Sequence, residues 1–345
     1  MALVLALAVF LWFIGSRMNM PVSARLLMIG LLYVAVMAVH VALPEGHALR
    51  EATGGSAGEW AVLGLLGAVV WVYSKGLAQL RKRVLPENRA KAAPSTSSAE
   101  LERNARHIVL REIGGPGQKR LKEARVLVVG AGGLGAPALQ YLCAAGVGTI
   151  GVIDDDVVEN SNLQRQVIHT DERIGMPKVF SAEIALTAQN PFVTVRPYHR
   201  RLTADIVDDL FTDYDLILDG TDDVETRYLV NEAAVRAELP LVSAAISQWE
   251  GQISIFDPSR GAPCYACVFP EAAAPGLAPS CAEGGVLGPL PGVVGAMMAV
   301  EAIKLLANAG EPLLGRMMIY DALYADTRTI TVKPRPDCPV CGKSG

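Results

Sequence analysis

Residues 125–154 read RVLVVGAGGLGAPALQYLCAAGVGTIGVID. Arg125–Val129 is an apolar run of strand length, Ala136–Ala145 reads as a helix, and Thr149–Ile153 reads as the next strand. Between the first strand and the helix stand Gly130, Gly132 and Gly135, a GxGxxG turn. Glycine permits the tight turn and lets backbone N–H groups approach a phosphate. Asp154 closes the second strand, 19 residues after Gly135, where a carboxylate can hold a ribose hydroxyl. Alone, this fingerprint says only that a nucleotide binds, and NAD or FAD is its usual ligand.

Downstream, helix and strand signals keep alternating through Leu216–Leu218 and Leu241–Ala244. That alternation predicts an α/β, Rossmann-like, doubly wound parallel sheet. Asp156, Ser161 and Asn162 follow the second strand, with Arg165 inside SNLQRQ (161–166) and Lys178 soon after. Two cations near the phosphates suit a triphosphate or a departing pyrophosphate. The run DGTDD (219–223) follows an apolar strand, so Asp222 and Asp223 fall at a strand's C-terminal end, where α/β sheets bind ligands. A carboxylate beside a polyphosphate usually holds Mg²⁺. Singly, Asp222 and Asp223 could be a solvated charge run and Lys178 a surface ion pair; their joint order along the chain favours the phosphate site.

Of six cysteines, Cys264/Cys267 and Cys338/Cys341 form two CxxC pairs about seventy residues apart. Each pair is a natural chelate on a turn, so together they predict a four-thiolate zinc site that staples the C-terminal part of the domain. With four protein ligands no coordination position stays open, and such a zinc is structural. Cys281 stands alone in a loop of small residues, and Cys143 reads as core packing.

Upstream, the 345-residue chain is 51% hydrophobic, with the excess at its N-terminus. Apolar runs cover Ala2–Gly15, Leu26–Leu43 and Trp60–Tyr73, the last needing Lys75 to reach outward, with Trp60, Trp71 and Tyr73 as interface aromatics. The expectation is a transmembrane region over 1–83 with two or three helices, a linker over 84–99 (VLPENRAKAAPSTSSA) and an enzyme domain over 100–345. No basic residue precedes the first apolar core, which argues against a cleaved signal peptide. Arg17 and Arg25 lie between the first two runs, and Arg81, Lys82 and Arg83 follow the third. The positive-inside rule then predicts a multi-pass protein of the cytoplasmic membrane with its enzyme domain in the cytoplasm. His40 could be an intramembrane functional group or an interface histidine near a helix end. The net charge of −4 gives no sign of a nucleic-acid partner.

From about Glu100 to the C-terminus the chain resembles the ThiF/MoeB/HesA family, which shares its core with ubiquitin-activating enzymes. The resemblance rests on 126–179, followed in order by LDGTDD, WEGQISIF, PCYACVFP, PSCAEGGVLGPLPGVVGAMMAVEAIKLL and CPVCG, and is preceded by NARHIVL. It implies ATP-dependent adenylation of the C-terminal glycine carboxylate of a ubiquitin-like sulfur-carrier protein. It further implies that Gly133 lies against the nucleotide, Asp154 holds the ribose, Asn162, Arg165 and Lys178 contact phosphates, and Asp222 positions Mg²⁺. Arg106 matches the family's arginine that reaches into a neighbouring subunit's site, which implies a homodimer; on residues alone it is an ordinary exposed arginine. In relatives a cysteine at about this place forms a thioester, persulfide or acyl disulfide with the carrier, which implies that Cys281 could be a catalytic nucleophile after adenylation; other members need none, and Cys281 could equally be a spectator thiol. With no room for a rhodanese domain after Cys341, the sulfur donor is expected to be a separate protein. The chain departs from the family at Asp223, where Asn is common, and at Asn160, where an apolar residue is usual.

Three other readings stand beside this one. The same fold could activate a different peptide or protein carboxylate, or serve as a membrane-tethered nucleotide-binding scaffold. An NAD-dependent oxidoreductase would leave NLQRQ unexplained and lacks an evident proton donor in a substrate domain.

Overall fold

The computed structural model describes residues 1–18, 20, 22–67, 69, 73, 97–271 and 284–342. The chain divides into two units, Met1–Ser95 and Thr96–Gly345.

The N-terminal unit contains helices α1 (Ala2–Arg17), α2 (Val22–Ala42), α3 (Ala48–Thr53) and α4 (Ala57–Gly67). Val4, Val36 and Trp60 are buried among them, whereas Leu3, Phe10, Phe13, Leu27, Leu31 and Val34 face outward. A water-soluble helix hides its apolar stripe; these helices display it. Within α2, the 19 residues Ala24–Ala42 have a mean hydropathy of 2.0, long and apolar enough to cross a membrane. Polar groups cluster at one end: His40 Nε2 lies 2.9 Å from Thr53 Oγ1, and Trp60 Nε1 donates to the Gly54 carbonyl at 2.8 Å. His40 is thus near the end of its helix and bonded. Trp71, Lys75 and the basic cluster 81–83 lie outside the described residues.

In the C-terminal unit one sheet has the order β3-β2-β1-β4-β5-β6-β7-β8. The strands are β1 (Arg125–Val129), β2 (Thr149–Ile153), β3 (Thr194–Tyr198), β4 (Leu216–Asp219), β5 (Leu241–Ile246), β6 (Glu250–Phe256), β7 (Arg316–Asp321) and β8 (Asp326–Thr331). Along β1, Val126 and Val128 enter one core while Leu127 and Val129 enter the other, the period-two alternation of a strand covered on both faces. The first core is closed by α8 (Gly135–Ala144), α9 (Lys178–Gln189) and α13 (Pro289–Ala307), through Leu139, Leu142, Leu186 and Met298. The second is closed by α10 (Val207–Phe211) and α11 (Val224–Arg236), through Phe211, Val230 and Ala233. Although α13 is also long and apolar, it is 56% buried and packs on α8, β5 and β6 as a core helix.

The expectation of a parallel sheet holds for β1 to β5 only. β5 with β6, β6 with β7 and β7 with β8 are antiparallel. Only residues 247–249 separate β5 from β6, and 322–325 separate β7 from β8. Loops that short can reverse a chain but cannot carry a parallel crossover of a dozen or more residues.

β2 and β4 flank β1 on opposite sides, so the chain order reverses there. A crevice opens at such a point, outside the carboxyl ends of the strands.

Candidate active site

That crevice holds a cavity of about 680 Å³. Its floor is the turn after β1. Gly130 has φ +92°, and a Cβ on Gly135 would fall on the Gly130 carbonyl, so both positions need glycine. Gly132 and Gly133 line the cavity between them. Asp154, at the end of β2, accepts the Ala131 N–H on Oδ2 at 2.7 Å and the Asp156 N–H on Oδ1 at 2.8 Å. Burial pushes its carboxyl above the ordinary range, offset by Lys178 and by these two N–H groups. The two bonds fix the carboxylate's orientation beside the glycine turn.

Lys178 begins α9, and its buried ammonium lies 2.6 Å from Asp156 Oδ2 at the rim. Asn162 is buried in a short 3₁₀ turn, accepts Gln166 Nε2 at 3.0 Å and donates toward Glu159 Oε2 at 3.4 Å. Arg165, half-buried on the wall, donates to the Ser161 carbonyl at 3.1 Å. Asn162, Arg165, Lys178 and Asp222 all line the cavity, Asp222 as an exposed side chain. Cationic groups therefore face a glycine-lined floor across a crevice that also presents a free-standing carboxylate.

Two named positions sit elsewhere, and a third is not described. Ser161 is exposed and bonds Glu159 Oε2 at 3.3 Å. Arg106 is exposed on the helix α6 (Ala105–Ile108) and does not line this chain's own cavity. Cys281 lies outside the described residues. Asp223 borders the cavity, but its Oδ2 caps α11, accepting the Thr226 N–H at 2.9 Å and the Thr226 hydroxyl at 2.5 Å. The same oxygen also meets Arg201 at 3.3 Å.

Several residues of the wall, and one beneath it, carry no signal in the motif reading. Arg227 is buried 3.2 Å from Asp219 Oδ2 and donates to Ser243 Oγ at 2.9 Å and the Ala244 carbonyl at 3.0 Å. His169 sits under the glycine turn, with Nε2 3.0 Å from the Ala131 carbonyl and Nδ1 2.9 Å from Ser181 Oγ. Arg200 and Arg201, after β3, line the rim. An arginine inside a helical pattern and a histidine in a loop read as surface residues until their partners, distant in sequence, are known.

The cavity wall also carries aromatic residues, Tyr228, Tyr265 and Phe269. The last two flank or belong to α12 (Tyr265–Val268), the turn bearing Cys264 and Cys267. The sulfurs of Cys264, Cys267, Cys338 and Cys341 come together with Sγ–Sγ distances of 3.8, 3.6 and 3.3 Å. A tetrahedral ion bound at about 2.3 Å separates its thiolates by about 3.8 Å, so the set fits zinc. The Arg335 N–H also donates to the Cys267 sulfur at 3.3 Å. Cys143, the remaining described thiol, is buried in the core, and burial pushes it up to about 11.

A nucleotide fold with a cationic crevice and a four-cysteine knuckle defines a class of activating domain. The ThiF family matches residues 104–340, and the chain belongs to that family. It is 51% identical over 247 residues to a sulfur carrier protein adenylyltransferase of Thermus thermophilus, covering 70% of this chain and 91% of that one. It is 49% identical over 251 residues to a SAMP-activating enzyme E1 of Haloferax volcanii, covering 73% and 92%. The crystal structure of E. coli MccB has the same fold at 23% identity, with a TM-score of 0.59 over 67% of this chain and 68% of that one.

Proposed function

We propose that this chain is an adenylyltransferase that uses ATP to activate the C-terminal glycine carboxylate of a ubiquitin-like sulfur-carrier protein. One observation carries the reading: the Gly130–Gly135 turn, Asp154, Arg165, Lys178 and Asp222 converge on one cavity. The relatives' names, at about half identity over most of their length, supply the substrate class.

Both reactants are anions, so neutralising charge is the main task. A carboxylate oxygen of the carrier attacks the α-phosphorus, the α–β anhydride bond breaks, and pyrophosphate leaves with the bonding pair. The glycine turn brings N–H groups to the phosphates. Asp154 orients the ribose. Arg165 and Lys178 offset charge on the phosphates and the leaving group. Asp222 would hold Mg²⁺, which supplies further positive charge when bound. The zinc that Cys264, Cys267, Cys338 and Cys341 would hold stays out of the reaction and fixes the turn carrying Tyr265.

Arg106 is assigned to the partner site of a homodimer; its exposure outside its own cavity supports this. The N-terminal helices are read as an anchor of two or three spans with the C-terminal unit in the cytoplasm, supported by their outward apolar faces and the basic residues Arg17, Arg25 and 81–83. A sulfur donor would act after adenylation.

Carrier-dependent exchange of labelled pyrophosphate into ATP by the full chain tests the reaction. Exchange is expected with a carrier ending in Gly-Gly and lost when those glycines are removed. Exchange supported equally by unrelated carboxylate peptides would overturn the assigned substrate. Mass spectrometry of the Cys281 peptide after turnover reads whether that thiol takes the acyl group.

A further inference from the structure

Arg201 follows β3 and Asp223 follows β4, yet their side chains meet at 3.3 Å. In the order β3-β2-β1-β4, two strands lie between them. At about 4.8 Å per strand, the ends of β3 and β4 lie some 14 Å apart along the sheet edge, and the two loops bridge that gap where the pair meets. The intervening strands are followed by Asp154 and Gly130. The Arg201–Asp223 pair therefore crosses the crevice beside the residues assigned to ribose and phosphates, and both partners line the cavity. Leu202 anchors the crossing segment by packing in one core with Val129 and Ile153.

Stability does not account for this contact. The side chains are 59% and 40% exposed, and such pairs contribute only about 0–1 kcal/mol. Nor does capping, because Asn caps a helix as well as Asp does. An aspartate at 223 adds the ability to hold a guanidinium. In a fold of this kind the phosphates lie at the turn after β1 and the ribose at the acid after β2. The base then lies farther along, toward the segment after β3 and against the loop after β4. The arginine is held at that place, and a planar guanidinium stacks on flat aromatic faces.

We propose that Arg201, held by Asp223, forms the base-side wall of the nucleotide site and contacts the adenine of bound ATP. Arg201 is a nucleotide-binding residue and Asp223 its positioning residue. This rests on the reading of the cavity as an ATP site.

The test is equilibrium binding of ATP and of inorganic tripolyphosphate to the full chain in detergent, for wild type, Arg201→Ala, Arg201→Lys and Asp223→Asn. Arg201→Ala is expected to weaken ATP about tenfold, within the range of a guanidinium–aromatic contact, and to leave tripolyphosphate unchanged. Arg201→Lys should not restore ATP binding, since an ammonium cannot stack as a plane. Asp223→Asn keeps the cap and the fold and should weaken ATP about threefold, by freeing the arginine. Equal weakening of ATP and tripolyphosphate would overturn the inference by placing Arg201 on the phosphates. ATP affinity unchanged in both Arg201 variants would overturn it as well. A wild-type chain that binds no ATP would instead sink the reading of the cavity itself.

Discussion

Lys178 Nζ lies 2.6 Å from Asp156 Oδ2, the lysine side chain 6% exposed and the carboxylate 66% exposed. The cation is fixed inside the crevice by an anion at its lip. A buried ammonium aimed from the start of α9 is suited to stabilise charge that develops on a polyphosphate.

Lys178→Ala is therefore expected to lower carrier-dependent pyrophosphate–ATP exchange by about 10²–10³-fold, the usual effect of removing one preorganised charge donor. Asp156→Asn removes only the outer partner and should cost less than about tenfold. Exchange rates at saturating ATP check both, and a larger loss for Asp156→Asn would reverse the assigned roles.

Asp219 is fully buried against Arg227, with Ser243 completing its shell at 2.8 Å. Asp219→Ala leaves the arginine buried without its counter-charge and should destabilise the C-terminal unit by about 3–5 kcal/mol. Removing both charges, in Asp219→Ala with Arg227→Met, should cost less than Asp219→Ala alone. Denaturant titration of these two variants and of Arg227→Met alone measures this, and additive losses would contradict it.

The neutral His169 ring donates Nε2–H to the Ala131 carbonyl and accepts from Ser181. Burial holds its pKa below the ordinary 6.5; the Ala131 contact works against that, and Lys178 and Arg173 add to it. The unfolded chain thus takes up its proton at a higher pH than the folded chain. This group's stabilisation is intact above about pH 6.5 and is lost as the pH falls toward the folded value. Thermal melts between pH 7.5 and 5 should show a fall that flattens in His169→Gln. Parallel curves for the two proteins would exclude His169 as the cause.

Purified protein should carry one zinc per chain by elemental analysis. Chelation or Cys338→Ser should release it and lower the unfolding free energy by several kcal/mol, as expected where metal binding is coupled to folding. Protein lacking zinc with an unchanged melting temperature would show that the four thiols do not bind it.

The strand β1, the glycine turn and both cysteine pairs were readable because each is a local pattern: apolar periodicity, a fixed glycine spacing, a chelating turn. The antiparallel half of the sheet was harder to read, because β6 and β7 are only partly apolar, β8 (DTRTIT) is polar and exposed, and their direction depends on loop lengths and on the packing of α13. The buried pair Asp219–Arg227 escaped because its members look like surface charges until the fold encloses them. Asp223 was legible as a carboxylate at a strand's C-terminal end and as a departure from the family; its cap and its link to Arg201 needed the loop after β3 to be in place.

Cys264 and Cys338 are 74 residues apart in sequence, and α13, β7 and β8 all lie between them. One ion at the four sulfurs would close this stretch into a ring, restricting the unfolded chain by about 4–5 kcal/mol on the loop-closure model. During synthesis the second pair of ligands is made after every strand of the sheet. The clasp can close only on a domain whose strands have all been made, so metal uptake would report that translation of the whole sheet is finished.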